Sequence, residues 1–411
     1  MNKVQTIIFI IYILFKNMFL WTLFKYIFLY PYILICALIT YYIYKEEKPF
    51  YTPLQVVKKD ENAGDSVEAE KVDLHAEFPC YRKLDKPLTG FEIIKLFLGI
   101  VFLGLPRVCI NLYYARKINI EITNYLKSNN SEGKPTSRAD INVMVGIVTR
   151  ITTLYLKFAG LLYSKTRLPD SKVLPVYQKY FGSDYKIDYD SNFACYISNH
   201  TCAYDMLISM ALFGTGFTAK IGAGKIPIIG PMLKSMQSIL VNRSSTDSKE
   251  NILDILERRE KEHYENKASM PFMIYPEGTT TSGRHLLPFK KGAFCSLLPV
   301  KATFIHPNLY EDFHLAVGSS DVGCNYLRSL SKLYNKVEYV ELPVIAPNDY
   351  MYENYSHFGK EKWEIFAEVC RNIMCELGDF QKSEFGLRDS FRYCSCMKYQ
   401  KLLDRKTYKI E

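Results

Sequence analysis

His200 and Asp205 are the two residues of this sequence best suited to proton transfer, because only four residues separate an imidazole from a carboxylate. On a regular helix five positions would turn the two side chains about 140° apart, so the pair cannot meet within one helix. A strand-like apolar run at residues 193–198 precedes His200, and a helix-like run at residues 206–213 follows Asp205. We therefore expect His200 in a strand-to-helix turn and Asp205 in or just before the first helical turn. Asp205 could then hold one ring nitrogen while the other takes a proton from a substrate hydroxyl; the alternative is a chance pairing.

A second polar segment follows another strand-like run. Residues 272–275 are apolar, and Pro276, Glu277, Gly278 and Thr279 come directly after them. A carboxylate followed by glycine and hydroxyl residues at a strand end predicts a polar turn that a substrate can approach closely.

A glycine- and proline-rich block at residues 222–231 lies between these two segments, and an apolar run after it ends at Arg243. Gly224 and Lys225 do not form a nucleotide-binding P-loop, because Ile226 stands where that motif requires serine or threonine. We therefore exclude nucleotide hydrolysis through this block.

Taken in this order, the three segments resemble the glycerolipid acyltransferase superfamily, over roughly residues 190–310. Residues 276–281 and 287–294, together with a tail stretch beyond residue 340, are similar to the lysophosphatidylcholine and lysophosphatidylethanolamine acyltransferases. Two features depart from those relatives. Ala302 stands where the fourth block usually carries a second proline, and no calcium-binding EF-hand loop occurs in the sequence.

The resemblance implies an α/β acyltransferase domain, with a mixed sheet flanked by helices, that transfers an acyl group from acyl-CoA to the free hydroxyl of a lysophospholipid. It makes His200 the general base. It assigns Arg243, Glu277 and Gly278 to acceptor binding, since a guanidinium is a natural partner of the acceptor phosphate. A carboxylate cannot meet a phosphate directly, so we expect Glu277 to orient Arg243 or to accept a hydroxyl proton.

The remaining substrate contacts are also expectations from the resemblance. Backbone groups near Thr279 are expected to help position the acceptor, and Pro299 of the fourth block is expected to contact substrate. The phosphates of acyl-CoA are expected to meet lysines. The lysine candidates are Lys225 and Lys290, with Lys220, Lys291 and Lys301.

Several alternatives share parts of this interpretation. The acceptor could be 1-acylglycerol-3-phosphate or glycerol-3-phosphate, or acyl groups could be exchanged between phospholipids without CoA. A non-enzymatic alternative is an inactive membrane scaffold with the same fold, which the presence of His200, Asp205, Arg243 and Glu277 disfavours. A covalent serine mechanism has no support, because the chain contains no Gly-x-Ser-x-Gly elbow.

Composition narrows the function classes. The net charge of +9 suits nucleic acid, an anionic membrane surface or phosphate-rich substrates. Neither zinc-finger spacing nor an aromatic RNA-binding strand nor a long basic run occurs, so we expect no nucleic-acid partner. Eleven scattered cysteines show neither a disulfide framework nor zinc-ligand spacing. We expect reduced thiols, no metal and no tightly bound cofactor, with acyl-CoA as a co-substrate only.

The N-terminal region predicts membrane insertion. Residues 26–44 form 19 uncharged positions, which is about the length needed to cross ~30 Å of hydrocarbon. A two-span hairpin is disfavoured because Lys16 would lie near its middle, where a charge costs about 2.5–3.5 kcal/mol. Residues 96–106 are short for a span and suit a re-entrant or interfacial helix. With residues 141–163 they predict a membrane-embedded helix pair under the active site; the alternative is two core helices of a soluble domain.

These patterns divide the chain into five parts. The first three are a membrane anchor (1–48), a polar linker (49–90) and a membrane-associated helix pair (91–165). The others are the catalytic domain (166–320) and a C-terminal extension (321–411) packed on it or following it. Lys45 and Lys48 follow the predicted span, as the positive-inside rule favours, so we expect an endoplasmic reticulum protein whose active site faces the cytosol, with the lipid bilayer as a partner.

Overall fold

Helices and strands alternate along most of the chain. The structure is a computed structural model and describes residues 18, 20–22, 24–51, 55–58, 70–84, 87–129, 134–202, 204–241, 248–307 and 321–399. The elements are α1 (Tyr30–Glu47), β1 (Gln55–Lys58), β2 (Glu70–Asp73), α2 (Leu74–Glu77), α3 (Gly90–Gly99), α4 (Leu105–Asn129), α5 (Arg138–Phe158), β3 (Leu161–Arg167), α6 (Asp170–Phe181), β4 (Tyr196–Ile197), α7 (Tyr204–Phe213), β5 (Gly216–Lys220), α8 (Ile229–Ser235), β6 (Ile239–Val241), α9 (Ser248–Tyr264), β7 (Phe272–Ile274), β8 (His285–Leu286), β9 (Val300–Pro307), α10 (Val322–Leu330), β10 (Asn335–Ile345), α11 (Asp349–Asn354), α12 (Lys362–Gly378), β11 (Gln381–Lys382) and α13 (Leu387–Tyr399).

Seven of these strands form one mixed sheet in the order β3-β10-β9-β4-β7-β5-β6. Strands β9, β4, β7, β5 and β6 run parallel to one another, whereas β10 is antiparallel to β9 and β3 follows the direction of β10. The predicted mixed sheet flanked by helices is therefore confirmed. Strand β4, which leads to His200, lies in the middle of the sheet.

Each face of the sheet is covered by its own helices. On one face, α6 and α12 bury residues such as Tyr177 and Phe366 against the apolar side chains of β4, β9 and β10. On the other face, α5 and α7 pack through Tyr155, Leu156 and Ile208. The residues of β10 alternate between these two cores, as a strand buried on both faces requires.

A capping box sets the start of helix α5, which covers the second face of the sheet. Helix α5 starts after Ser137, whose hydroxyl accepts a hydrogen bond from the amide of Asp140, while the Asp140 carboxylate accepts one from the Ser137 amide. This capping box satisfies amide groups that have no partner inside the helix. The helix then packs on α4 and α7, and both partners reappear in the functional site.

Three helical stretches are long and apolar enough to cross a membrane, by length and composition, among the described residues. They are Leu20–Phe50, Gly90–Asn129 and Arg138–Phe158. The first stretch confirms the predicted N-terminal apolar helix. Other parts of the chain bury only 6% of its most apolar window. Residues 1–17, which include Lys16 and would form the other half of a hairpin, lie outside the described residues.

Two predictions about the helix pair were wrong. Residues 96–106 are not a short separate helix, because α3, one π turn at Ile100–Gly104 and α4 form a continuous 40-residue helix. The apolar stretch at 141–163 does not stay helical to its end. Helix α5 stops at Phe158, and Tyr163 belongs to strand β3. The proposed domain boundary at 165/166 therefore cuts an element of the sheet.

Described residues of the segments predicted as linker and as C-terminal extension pack into the domain that contains the seven-stranded sheet. Residues of the 49–90 segment, including Phe50 and Phe78, form a buried cluster with Tyr393 of α13. Tyr393, near the C-terminal end of the described residues, is fully buried. Strand β10, from the 321–411 segment, occupies the second position of the sheet. Sequence patterns missed this because the pairing partners of β10 are distant in the chain.

Candidate active site

His200 and Asp205 meet in the turn between β4 and α7. The ring Nδ1 of His200 lies 2.9 Å from Oδ2 of Asp205. Because an ionised carboxylate can only accept hydrogen bonds, Nδ1 carries the proton and Nε2 is left with a free lone pair. The His200 side chain is 20% exposed and that of Asp205 is 0% exposed. The histidine can therefore meet a substrate while the carboxylate stays out of water.

The Asp205 carboxylate is held by several donors besides His200. It accepts hydrogen bonds from the backbone amides of Thr201 and Cys202, from the Thr201 hydroxyl at 3.0 Å and from the Cys202 thiol at 3.1 Å. Since Asp205 lies in the first turn of α7, the turn folds around its own carboxylate. These contacts fix the orientation of the imidazole.

Glu277 holds the backbone of the same turn. Its Oε1 accepts a hydrogen bond of 2.9 Å from the His200 amide, and its Oε2 accepts one of 3.0 Å from the Leu287 amide. The carbonyl of His200 in turn accepts a hydrogen bond of 2.9 Å from the Thr281 amide. Both carboxylate oxygens are thus engaged within the chain. Glu277 thus holds the backbone of His200 in place, and its predicted orientation of Arg243 or acceptance of a proton stays a prediction.

Two more residues position the turn. The ring of Tyr275, the residue before Pro276, stacks on the His200 ring with centroids 4.4 Å apart. The amide side chain of Asn199 donates to the carbonyl of Ile305 at 3.1 Å and accepts from its amide at 2.8 Å, which ties the end of β4 to β9. Sequence analysis did not single out either role, because both contacts join segments that are distant in the chain.

His200 lies on the wall of a cavity of about 500 Å³ on the α5/α7 face of the sheet. The other walls come from α4, α5, α8 and strand β5, and most of their side chains are apolar. Examples are Ile118, Met210, Phe217 and Met232. This volume is within the range of small-molecule sites, roughly 300–1,000 Å³. An apolar chain could lie in this cavity with its head at His200.

The glycine-rich block forms one border of this region. A Cβ at Gly230 would collide with the carbonyl oxygen of Gly224, so the backbone requires glycine at position 230. Lys225 follows Gly224 in a short 3-10 turn and is exposed, with the exposed apolar residues Ile221 and Ile226 near it.

The family comparison agrees with this geometry. Residues 186–309 match the family model described as Acyltransferase. This range contains the His200–Asp205 pair, the glycine-rich block and the Glu277 turn. We refer to residues 186–309, which match this family model, as the acyltransferase domain.

Similar proteins carry related names. The chain is 32% identical over 200 residues to "Lysophospholipid acyltransferase LPEAT1" of Arabidopsis thaliana, a match that covers 48% of each chain. It is 30% identical over 159 residues to "Lysophosphatidylcholine acyltransferase 2" of Homo sapiens, covering 37% of this chain and 26% of that protein. The predicted resemblance is therefore confirmed. The chain spans about half the length of the plant relative and about a quarter of the human one.

A solved structure was also matched. It is the 1-acyl-sn-glycerophosphate (LPA) acyltransferase PlsC from Thermotoga maritima, with a TM-score of 0.39 and 13% sequence identity, and the match covers 67% of this chain and 96% of that one.

The acyltransferase domain brings only some of the predicted substrate residues to His200. Gly278, which has a left-handed φ of 72°, lies beside the side chain of Lys290, and the Lys290 amide donates to the carbonyl of Pro276 at 3.0 Å. Thr279 follows in the same turn. Lys290 is exposed next to the catalytic turn, as a phosphate partner must be. Arg243 lies outside the described residues.

Two predicted contacts are far from the catalytic turn or engaged elsewhere. The carbonyl of Pro299 accepts a hydrogen bond from the Ala194 amide, at the opposite end of β4 from His200. Lys301 is buried, with its ammonium 2.5 Å from the Tyr189 carbonyl and 3.5 Å from a carboxylate oxygen of Glu341. The structure does not bring Pro299 to the pair, and Lys301 cannot meet the phosphates of acyl-CoA.

The stability of the acyltransferase domain should depend on pH through Glu277. Burial raises the pKa of this carboxyl to about 8, although the amide hydrogen bonds and the charge of Arg371 oppose the rise. In an unfolded chain a glutamate has a pKa of about 4.3. Between these values the folded state binds more protons than the unfolded state, so stability should fall as pH rises from about 5 to about 8. We expect unfolding temperatures of the wild type to fall over this range relative to Glu277→Gln; parallel curves would contradict the assignment.

Proposed function

We propose that the protein is a membrane-bound lysophospholipid O-acyltransferase that moves a fatty acyl group from acyl-CoA to the free hydroxyl of a lysophospholipid. The observation that carries this proposal is the position of the hydrogen-bonded His200–Asp205 pair at the wall of an apolar cavity. A general base beside a cavity that can hold an apolar chain suits acyl transfer. The names of the similar proteins support a lysophospholipid acceptor.

The His200 side chain performs the proton transfers of the proposed reaction. Its Nε2 takes the hydroxyl proton of the lysophospholipid as the hydroxyl oxygen attacks the thioester carbonyl carbon. Asp205 stabilises the imidazolium that forms and keeps its ring in place. When the tetrahedral intermediate collapses, the C–S bond breaks and the imidazolium returns the proton to the leaving sulfur. The products are the phospholipid ester and free CoA.

The apolar cavity is proposed to hold the acyl chain. Two of its walls, α4 and α5, are membrane-associated helices, and two others, α7 and α8, belong to the acyltransferase domain. The acyl chain would therefore extend from the lipid-facing helices to His200. Lys290 and Lys225 are proposed to meet the phosphates of CoA outside the cavity, where both side chains are exposed.

Arg243 is proposed to bind the acceptor phosphate. A guanidinium presents a fork of donors that matches phosphate oxygens. Arg243→Ala should therefore raise the KM for lysophospholipid several-fold and leave the KM for acyl-CoA within about twofold, as expected when binding to one substrate is lost. Steady-state kinetics with each substrate varied in turn would check this. An equal rise in both KM values would contradict a role in acceptor binding.

The active site is proposed to face the cytosol, in the endoplasmic reticulum membrane. The sequon at Asn199 supports this side, because Asn199 is 1% exposed and both polar atoms of its side chain bond to Ile305. A glycan there would break the link that holds the end of β4. We expect peptide mapping of native protein to find Asn199 and Asn242 unmodified; a glycan on either residue would overturn this topology.

The decisive test is direct. The full chain in lipid nanodiscs would be incubated with radiolabelled acyl-CoA and a panel of acceptors that includes lysophosphatidylcholine, lysophosphatidylethanolamine, lysophosphatidic acid and glycerol-3-phosphate. We expect labelled phospholipid from at least one lysophospholipid with a head group. Labelled product from only lysophosphatidic acid or glycerol-3-phosphate would replace the proposed acceptor class, and no product from any acceptor would reject the enzyme.

A further inference from the structure

A hydrogen-bonded group of polar side chains interrupts the apolar wall of the cavity. It consists of Asn111 on α4, Tyr155 on α5 and Tyr326 on α10, and all three line the same cavity as His200. The side-chain amide of Asn111 donates to the Tyr326 hydroxyl, and the hydroxyls of Tyr155 and Tyr326 share a second hydrogen bond. Polar groups placed together in an apolar pocket usually fix the orientation of a ligand.

One hydroxyl proton of this group remains unused by the protein. The Tyr326 oxygen accepts a hydrogen bond from the side-chain amide of Asn111, and either hydroxyl can be the donor in its bond with Tyr155. A hydroxyl has two acceptor sites and one donor hydrogen. The bond between the Tyr155 and Tyr326 hydroxyls uses only one of their two hydrogens, so one hydrogen of the pair has no acceptor among the described residues. When Tyr155 is the donor, both acceptor sites of Tyr326 are filled and the unused hydrogen is that of Tyr326. Hydrogen bonds received by an oxygen also polarise its O–H group, which makes it a better donor.

A second unused hydroxyl lies in the same wall. Thr152 is one helical turn before Tyr155 on α5, is 1% exposed and lines the cavity. Its Oγ1 is buried and has no hydrogen-bond partner within the described part of the chain. A buried hydroxyl without a partner costs about 1–3 kcal/mol, so a ligand atom that accepts from it would be favoured.

The two tyrosines of this group pack against the turn that carries His200. The rings of Tyr326 and Tyr204 have centroids 5.3 Å apart, and Tyr204 precedes Asp205 in the catalytic turn. Tyr155 shares a buried cluster with Cys202 and Tyr204, whereas the deeper residues of α5 pack with Met210 and Met236. The polar group therefore lies beside the turn that carries His200 and Asp205.

We propose that Tyr326, with Thr152 as a second donor, forms an oxyanion site that binds the carbonyl oxygen of the acyl donor. This inference rests on the proposed function. As the acceptor oxygen attacks, the π electrons of the carbonyl move onto its oxygen, and the Tyr326 O–H donates to that developing anion. No proton is transferred in this contact. When the C–S bond breaks, the electron pair returns to the carbonyl and the hydrogen bond weakens. Asn111 and Tyr155 act as positioning residues for the Tyr326 hydroxyl.

The test removes single oxygen atoms. Loss of one oxyanion donor typically lowers kcat about 10²–10³-fold. We expect a decrease of this order in Tyr326→Phe, a smaller one in Thr152→Val, and a KM for acyl-CoA within about twofold of wild type in both. Tyr177→Phe is the matched control, because its buried hydroxyl donates to the Pro343 carbonyl on the other face of the sheet; its kcat should stay within about twofold. A normal kcat in Tyr326→Phe, or a higher KM alone, would overturn the inference.

A spectroscopic readout separates this role from a structural one. Acyl-CoA labelled with ¹³C at the carbonyl would be bound, without an acceptor, to His200→Ala protein, whose turnover should be low, and isotope-edited infrared spectra would be recorded. We expect the carbonyl band at a lower frequency than in buffer, and expect Tyr326→Phe in the same background to reverse most of that shift. An unchanged band would reject the contact. If the wild type transfers no acyl group, the proposed function fails as well; if it does and Tyr326→Phe matches it, only this inference fails.

Discussion

Replacement of His200 by alanine is expected to lower kcat about 10²–10⁴-fold, the usual contribution of a positioned general base. The structure explains why no neighbour should take over. The Asp205 carboxylate is buried, with 0% of its side chain exposed, and is occupied by donors from its own turn. Glu277 uses both oxygens on backbone amides. Initial rates at saturating acyl-CoA and lysophospholipid would measure the loss.

Asp205→Asn tests the same pair from the other side. An asparagine can present its NH₂ group to Nδ1, which would favour the imidazole tautomer whose Nε2 carries the proton and cannot act as a base. We therefore expect a severe loss of kcat with little change in either KM. Folding would be followed by circular dichroism, because Asp205 also accepts from Thr201 and Cys202.

Near-normal turnover of well-folded His200→Ala would show that His200 is structural and that the proposed mechanism is wrong.

The catalytic pair was predictable because its geometry is local. His200 and Asp205 are five positions apart, and a strand before them and a helix after them leave only a tight turn in which they can meet. The strand itself is shorter than its apolar run suggests, since β4 contains only Tyr196–Ile197. Position in the sequence was enough for this pair, because the turn and both of its partners lie in one short segment.

The role of Glu277 was not predictable in the same way. Its two bonds go to the backbone amides of His200, 77 positions away, and Leu287. Backbone amides carry no residue-specific signal, so a sequence shows that Glu277 is acidic but not what it holds. Two elements of the C-terminal segment brace the second of these amides: the buried Arg371 donates to the Leu286 carbonyl at 2.9 Å, and β11 pairs with β8.

The cavity depends on tertiary packing as well. Apolar residues on α4 and α5 were equally consistent with lipid contact and with a protein core, and the structure uses both surfaces of these helices. Phe158 and Val143 of α5 are exposed, whereas Ile151 and Val148 are buried against the acyltransferase domain. Periodicity alone cannot distinguish a lipid-facing side chain from one that lines a cavity, since both are apolar.

The N-terminal helix is joined to the catalytic domain by a buried charge cluster. Glu47, the last residue of α1, lies 2.9 Å from the ammonium of Lys83 and 2.8 Å from the guanidinium of Arg328, with all three side chains 1% exposed. Arg328 is on α10, two residues after Tyr326. The helix predicted as a simple anchor therefore also supports a wall of the cavity.

Glu47→Gln should destabilise the protein by about 3–5 kcal/mol, because it breaks two buried ion pairs at once, those of Glu47 with Lys83 and Arg328. Thermal unfolding in nanodiscs, followed by intrinsic fluorescence, would measure the change. Glu257→Gln is the matched control, because Glu257 pairs with Lys261 on the exposed side of α9, where an ion pair contributes about 0–1 kcal/mol.

A second substitution identifies the cause of that loss. Adding Lys83→Met to Glu47→Gln removes one of the two buried cations and places an apolar chain of similar length in its site, so part of the lost stability should return. The double variant should also recover acyltransferase activity in proportion, since α10 then regains its position beside the cavity. Equal stability of Glu47→Gln and Glu257→Gln would show instead that the charge cluster does not join α1 to the catalytic domain.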